Sequence, residues 1–382
     1  MSPRSFDIVV VGAGIVGAAC AREFAEAGLT VALIEADVIG GGATAAAMGH
    51  IAVMDDSEAQ FALTRYSQLL WKQVAERLPA DVEYLPCGAA WVAADQVEMR
   101  EVSRKQRYYT ERGVPVEILD PQSLAEAEPT LRPGLAGALF VKDDAVVYPL
   151  GAARFLAREA QQLGTELILG RRVISVNGNT AKLDDGTSII YQNVVLANGI
   201  AASTFARAIN IQPRKGHLVI TDRYPGFARH QIIELGYLKS AHAIQADSVA
   251  FNVQPRLSGQ VLIGSSRQYG ITDPAVDSNV VSAMLQRAFE YMPGLSKLSL
   301  VKSWTGFRAA TPDKLPLIGL CPETDNVYLA TGHEGLGITT SLGTAKLLAD
   351  LLLHRNSAIM KEPYLPGRSL YPTSEIEESA PK

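Results

Sequence analysis

Three glycines and one acid near the N-terminus are spaced to bind a dinucleotide. Gly12, Gly14 and Gly17 fall in the order G-x-G-x-x-G within GAGIVG, and Glu35 closes the same unit. Gly12 allows a tight turn, Gly14 lets the backbone approach a pyrophosphate, and Gly17 lets a helix pack close to the preceding strand. Ile15 and Val16 lie within this turn as candidate contacts, and the helix that follows offers free N–H groups and a partial positive charge to phosphate. Glu35, followed by Ala36, is placed to accept hydrogen bonds from ribose hydroxyls. Small residues come next: Gly42, Ala43 and Ala47 permit close approach to a flat ligand, Thr44 offers a hydroxyl to phosphate, and Met48, Gly49 and His50 follow toward the reactive end. A lone histidine is also a common packing residue, so His50 is a candidate contact on position alone. Ala197, Asn198 and Gly199 form a small-residue turn after a buried strand, where ligands bind in open α/β sheets. A second glycine turn comes late in the chain. Its residues Gly332, His333, Glu334, Gly335 and Leu336 lead into a helix at Gly337 and Ile338, putting another positive helix end near a cofactor.

These residues require a particular set of elements. The β-branched run 8–11 predicts a buried parallel strand, 18–27 a helix stopped by Gly28, and 30–34 the second strand. Residues 57–78 read as an amphipathic helix, 84–94 as strands, 96–112 as a charged surface helix, and 137–147 as a strand pair turning at Asp143 and Asp144. The stretch from 86 to 144 lacks βαβ rhythm and reads as an insertion. The rhythm returns with a helix over 150–163 and strands over 166–168, 171–176, 181–183, 188–190 and 193–197. Alternating β segments between 211 and 308, with a helix over 279–291, predict a mixed sheet. Residues 311–319 read as a loop, 326–330 as a strand, 338–353 as the last helix, and 374–382 as a disordered tail.

The chain has 382 residues, enough for two domains. Its net charge of −5 and lack of a basic run argue against a nucleic-acid partner. Three cysteines, Cys20, Cys87 and Cys321, stand too far apart for a disulfide framework or a metal cluster, which fits a reducing compartment. No stretch is long and apolar enough to span a bilayer, and the first strand begins too early for a signal peptide, so the expected location is cytoplasmic.

GAGIVG with Glu35, the small-residue run, VVLANG, GFRAATPDKLPLIG and LATGHEGLG occur in one order. As a set, over about residues 6–353, they resemble the FAD-dependent amino-acid oxidoreductases of the D-amino-acid oxidase superfamily. The resemblance implies FAD, and the second glycine turn agrees, since a flavin needs one end of its ring anchored. It implies an α/β fold: a Rossmann-type FAD-binding domain (1–85, 145–210, 305–362) interleaved with an α+β substrate domain on a mixed or antiparallel sheet (86–144, 211–304), then a tail (363–382). It further implies dehydrogenation of a carbon–nitrogen bond by hydride transfer to flavin N5, with a small amino or imino acid as substrate. Arg308, in G-F-R-x-x-T-P-D, matches the arginine that pairs with the substrate carboxylate, a match that a guanidinium fork suits. Val173 matches the position whose backbone meets adenine. Many relatives place a tyrosine just before the P-R turn; here the segment is FNVQPR, and Asn252 is the candidate hydrogen-bonding replacement. No cysteine stands near Gly306, where some relatives carry flavin covalently, so noncovalent FAD is expected. MGHIAVMDDS is most similar to D-hydroxyproline dehydrogenases, some of which work in hetero-oligomers with electron-accepting subunits. The alternatives are a glycine or sarcosine oxidase using oxygen, and a noncatalytic flavin-binding subunit.

Overall fold

The computed structural model describes residues 4–236, 248–322 and 324–370; the tail expected over 374–382 lies outside them. In chain order the strands are β1 (Arg4–Val11), β2 (Val31–Glu35), β3 (His50–Ile51), β4 (Ala89–Ala93), β5 (Val116–Leu119), β6 (Gly137–Val141), β7 (Ala145–Val146), β8 (Glu166–Leu169), β9 (Val173–Asn177), β10 (Thr180–Leu183), β11 (Ser188–Leu196), β12 (Gln212–Thr221), β13 (Gln231–Glu234), β14 (Ser248–Pro255), β15 (Val261–Tyr269), β16 (Leu300–Ala310), β17 (Leu317–Leu320) and β18 (Val327–Thr331).

The first sheet runs in the order β17-β18-β11-β1-β2-β8. From β18 to β8 its neighbours are parallel, β17 is antiparallel, and the β9–β10 hairpin joins through β11. Parallel strands covered on both faces should be apolar throughout, and Ile8, Val9 and Val10 are fully buried. One face carries helices Ile15–Glu26, Pro149–Gln162 and Gly337–Leu352, with helix Glu58–Val74 closing the same core through Leu63, Trp71 and Val74. The opposite face packs on the hairpin and on the turn Gly199–Thr204.

The second sheet runs β16-β12-β15-β14-β13-β4-β6-β5 and is antiparallel except where β13 lies along β4. Its outer face packs on helix Ser278–Tyr291, which starts because the Asp277 carboxylate accepts from the Asn279 and Val280 N–H groups. Strand alternation then decides what faces inward. On β14, Phe251 and Val253 enter this outer core, and Phe251 stacks on Tyr291 at 4.6 Å; Asn252 therefore points the other way.

Some sequence readings change. The segments 188–190 and 193–197 are one strand, because Gln192, whose polarity broke the apolar pattern, sits at the surface and donates to the Asp7 carboxylate at 2.8 Å. The loop expected over 311–319 ends in β17. The charged surface helix expected over 96–112 is the helix Gln96–Glu111, whose inner face buries Val102, Lys105 and Tyr109. The turn expected at Asp143 and Asp144 does join β6 to β7, and Asp144 within it is buried and accepts from Val53 N–H and the Gln68 amide.

Candidate active site

A cavity of about 1370 Å³ lies between the carboxyl ends of β1, β2, β11 and β18 and the inner face of the second sheet. Pockets for drug-sized ligands hold ~300–1,000 Å³, so a dinucleotide and a small substrate fit together.

The nucleotide end is built by the first turn. Gly12 has φ +99°, and a side chain there would stand 2.8 Å from Asn198 Cα. A Cβ on Gly17 would overlap the Gly12 carbonyl oxygen, so Gly17 lies behind the cavity wall and sets the helix-to-strand distance. The Glu35 carboxylate accepts from Ala13 N–H at 2.8 Å through Oε2 and from Asp37 N–H at 2.9 Å through Oε1, which fixes it at the end of β2. Thr44 Oγ1 accepts from Ile15 N–H at 3.1 Å, which leaves its own O–H free to donate. Arg171 N–H donates to Glu35 O at 3.0 Å, which carries the chain past Glu35 and into Val173 on the cavity wall. Asn198 keeps a buried Oδ1 without a partner. The glycine cradle, the anchored carboxylate and this unpaired amide oxygen fit the dinucleotide end of FAD.

The middle of the cavity is held from both sheets. Gln254 Nε2 donates to Met48 O at 3.0 Å, and Thr339 Oγ1 donates to His50 O at 2.8 Å. His50 is half-buried, its Nε2 has no partner, and burial pushes its imidazole down to about 4 against a smaller opposing hydrogen bond with Gln254. It is therefore neutral at physiological pH. Burial likewise pushes His333 down to about 4, and its Nε2 meets Thr344 Oγ1 at 3.0 Å. Glu334 N–H donates to Ala309 O at 3.0 Å, and its carboxylate pairs with Arg214. These two bonds tie the second glycine turn to β16 and β12.

Arg308 emerges from β16 and lies across Gly216 on β12. A Cβ at Gly216 would stand 2.7 Å from Nη2 and 2.8 Å from Cζ, so only glycine leaves the guanidinium its place. A Cβ at Gly335 would stand 3.1 Å from the Arg308 Cδ and Nε, and Nη1 donates to Ser266 O at 3.1 Å.

All the candidate residues except Gly17 line this one cavity: Gly12, Gly14, Ile15, Val16, Glu35, Ala36, Gly42, Ala43, Thr44, Ala47, Met48, Gly49, His50, Val173, Ala197, Asn198, Gly199, Asn252, Arg308 and the run from Gly332 to Ile338. None of the three cysteines does. Sequence reading missed Gly216, Trp91 and Gln231, which also line it. Asn252 and Gln254, polar at alternate positions of an otherwise apolar strand, were the available signal for an inward polar face; Gln231 lies on a four-residue strand that carried none.

A family model described as FAD dependent oxidoreductase matches residues 7–351. The chain belongs to this FAD-dependent oxidoreductase family. Within it, the chain is 29% identical over 377 residues to the glycine oxidase of Geobacillus kaustophilus, covering 94% of this chain and 96% of that one. The crystal structure of glycine oxidase from the same organism superposes with a TM-score of 0.85 at 26% identity, covering 95% of this chain and 98% of that one. Hydrogen cyanide synthase subunit HcnC of Pseudomonas aeruginosa is 26% identical over 418 residues, covering 96% of each. The L-proline dehydrogenase structure from P. horikoshii, at 24% identity and TM-score 0.86 over 96% of this chain and 98% of that one, shares the fold. This FAD-dependent amino-acid oxidoreductase has no helix, among the described residues, long and apolar enough to cross a membrane.

Proposed function

We propose that this oxidoreductase removes two hydrogens from the carbon–nitrogen unit of a small amino or imino acid whose carboxylate is held by Arg308. The observation that carries the reading is the guanidinium laid over Gly216 inside the cavity that begins at the dinucleotide turn. A planar fork so placed suits a carboxylate, which fixes one end of the substrate and so orients its amine-bearing carbon. Bound FAD supplies the acceptor for the hydrogen and two electrons that leave that carbon. Residues 1–85, 145–210 and 305–362 would hold the FAD, noncovalently, and 86–144 with 211–304 the substrate. Gly12 to Val16, Glu35 and Thr44 serve the nucleotide; the second glycine turn serves the other end. His50, uncharged above about pH 4, offers a hydrogen bond at Nε2 rather than a charge.

The finer reading is a dehydrogenase of D-hydroxyproline or a related D-amino acid or secondary amine, supported by the MGHIAVMDDS segment. A second reading, a glycine or sarcosine oxidase using oxygen, is favoured by the glycine oxidase relatives. A hetero-oligomer with electron-accepting subunits accords with a relative that is itself named a subunit. The test is anaerobic flavin absorbance of the purified holoprotein with cis-4-hydroxy-D-proline, D-proline, sarcosine and glycine in turn, followed by air. Bleaching by the proline compounds with slow recovery in air is the expected result. Bleaching by glycine or sarcosine with fast recovery supports the oxidase, and no bleaching by any of them supports a noncatalytic subunit.

A further inference from the structure

The inner face of the second sheet carries buried polar groups that the reading above does not use. Register places Trp91, Ile233, Asn252 and Gly264 in one row across β4, β13, β14 and β15. Gln231, two residues before Ile233, shares its face. Gln231 is 0% exposed, Trp91 1% and Asn252 7%, and all three line the cavity. Gln231 has neither Nε2 nor Oε1 paired, Trp91 Nε1 is unpaired and Asn252 Oδ1 is unpaired. A buried polar group left unmatched is costly, so several gathered on one wall point to a ligand that matches them. None of the three carries a formal charge, so they can match an uncharged donor–acceptor group without a counter-ion. Trp91 is held from behind by Lys105 Nζ, 5.3 Å from its ring, and that cation is paired with Asp55.

The Arg308 guanidinium lies over β12 and Asn252 is on β14, two strands away, so the carboxylate anchor and the polar wall stand apart along the same cavity.

We propose that Gln231, Asn252 and Trp91 form a specificity wall for an uncharged hydrogen-bonding substituent on the substrate, a hydroxyl or carboxamide, at the end opposite the carboxylate. This deepens the amino-acid oxidoreductase reading and rests on it. A site built to hydrogen-bond a hydroxyl discriminates strongly against the analogue without it, because its polar groups are then left buried and unmatched.

The experiment compares matched pairs on the holoenzyme: cis-4-hydroxy-D-proline with D-proline, and D-serine with D-alanine. The wild-type rate ratio, as kcat/KM for flavin reduction, should favour the hydroxylated partner by more than about 10-fold in at least one pair. Gln231→Leu and Asn252→Leu should each shrink that ratio toward one. A second readout involves no turnover: the calorimetric Kd of the holoenzyme for tetrahydrofuran-2-carboxylate with and without a 4-hydroxyl should show the same preference, lost in the same variants. Flavin absorbance reports that each variant is folded, and Gln231→Glu and Asn252→Asp replace either variant that is not. Bleaching with a ratio near one in the wild type, or a ratio unchanged in folded variants, overturns the specificity wall and leaves the amino-acid reading standing. No bleaching by either pair, together with no binding of either furan carboxylate, overturns both.

Discussion

At the scale of single residues the site depends on what is missing from side chains as much as on what they carry. Gly216 is the clearest case. Its backbone is ordinary for an L residue, so alanine there strains nothing locally; the atoms nearest the added methyl are those of the Arg308 guanidinium, a flexible side-chain end. Gly216→Ala should therefore leave the unfolding midpoint and FAD content close to wild type, yet raise the KM for amino acid about 10-fold or more, the scale of one charge-assisted hydrogen bond. Steady-state kinetics beside a melting curve checks this, and an unchanged KM would mean that Arg308 does not anchor the substrate. His333 gives a pH signature. Its imidazole titrates near 6.5 in an unfolded chain and at about 4 when folded. Between these values the unfolded chain binds a proton that the folded chain does not, so stability is full at neutral pH and falls as pH drops from 6.5 toward 4. In urea unfolding, His333→Gln should lose less stability than wild type between pH 7 and 4.5, by about 2 kcal/mol. Equal losses would show that His333 is not held neutral by burial.

At the scale of elements, the first strand–turn–helix–strand unit was legible because each part declares itself locally. Ile8 to Val11 can only be a buried strand, Gly28 ends the helix, and Glu35 marks where β2 leaves the sheet. The second glycine turn was legible for the same reason. The second sheet was not, because its order depends on partners distant in sequence: β13 lies parallel to β4 and antiparallel to β14, and four residues, Gln231 to Glu234, carry no periodic signal that would reveal either neighbour. The inward face of Asn252, hinted at by the alternation of Asn252 and Gln254, is fixed by Phe251 stacking outward on Tyr291. Close packing of the first helix on the first turn is equally specific. Gly17→Ala would put its methyl into the Gly12 carbonyl, part of the backbone and unable to move aside cheaply. It should destabilise the protein by about 1–3 kcal/mol and lower FAD retention on gel filtration; full flavin content with wild-type stability would contradict this packing.

At the scale of the whole molecule, two eight-stranded sheets meet around one cavity, and each contributes a different kind of surface. The parallel sheet presents strand ends and helix N-termini, suited to phosphate and to an electron-rich ring. The antiparallel sheet presents a face of side chains, on which Arg308 and the polar row around Asn252 stand apart. The proposed division of labour, cofactor on one sheet and substrate on the other, makes the carboxylate anchor the central claim. It is tested most directly by anaerobic flavin bleaching of wild type and Arg308→Ala, with D-proline set against pyrrolidine, the same ring without its carboxylate. Wild type should be bleached by D-proline at concentrations about 100-fold below those needed for pyrrolidine, the effect of a bidentate charged pair, and Arg308→Ala should lose most of that gap while keeping its FAD. A gap of the same size in the variant would contradict the account.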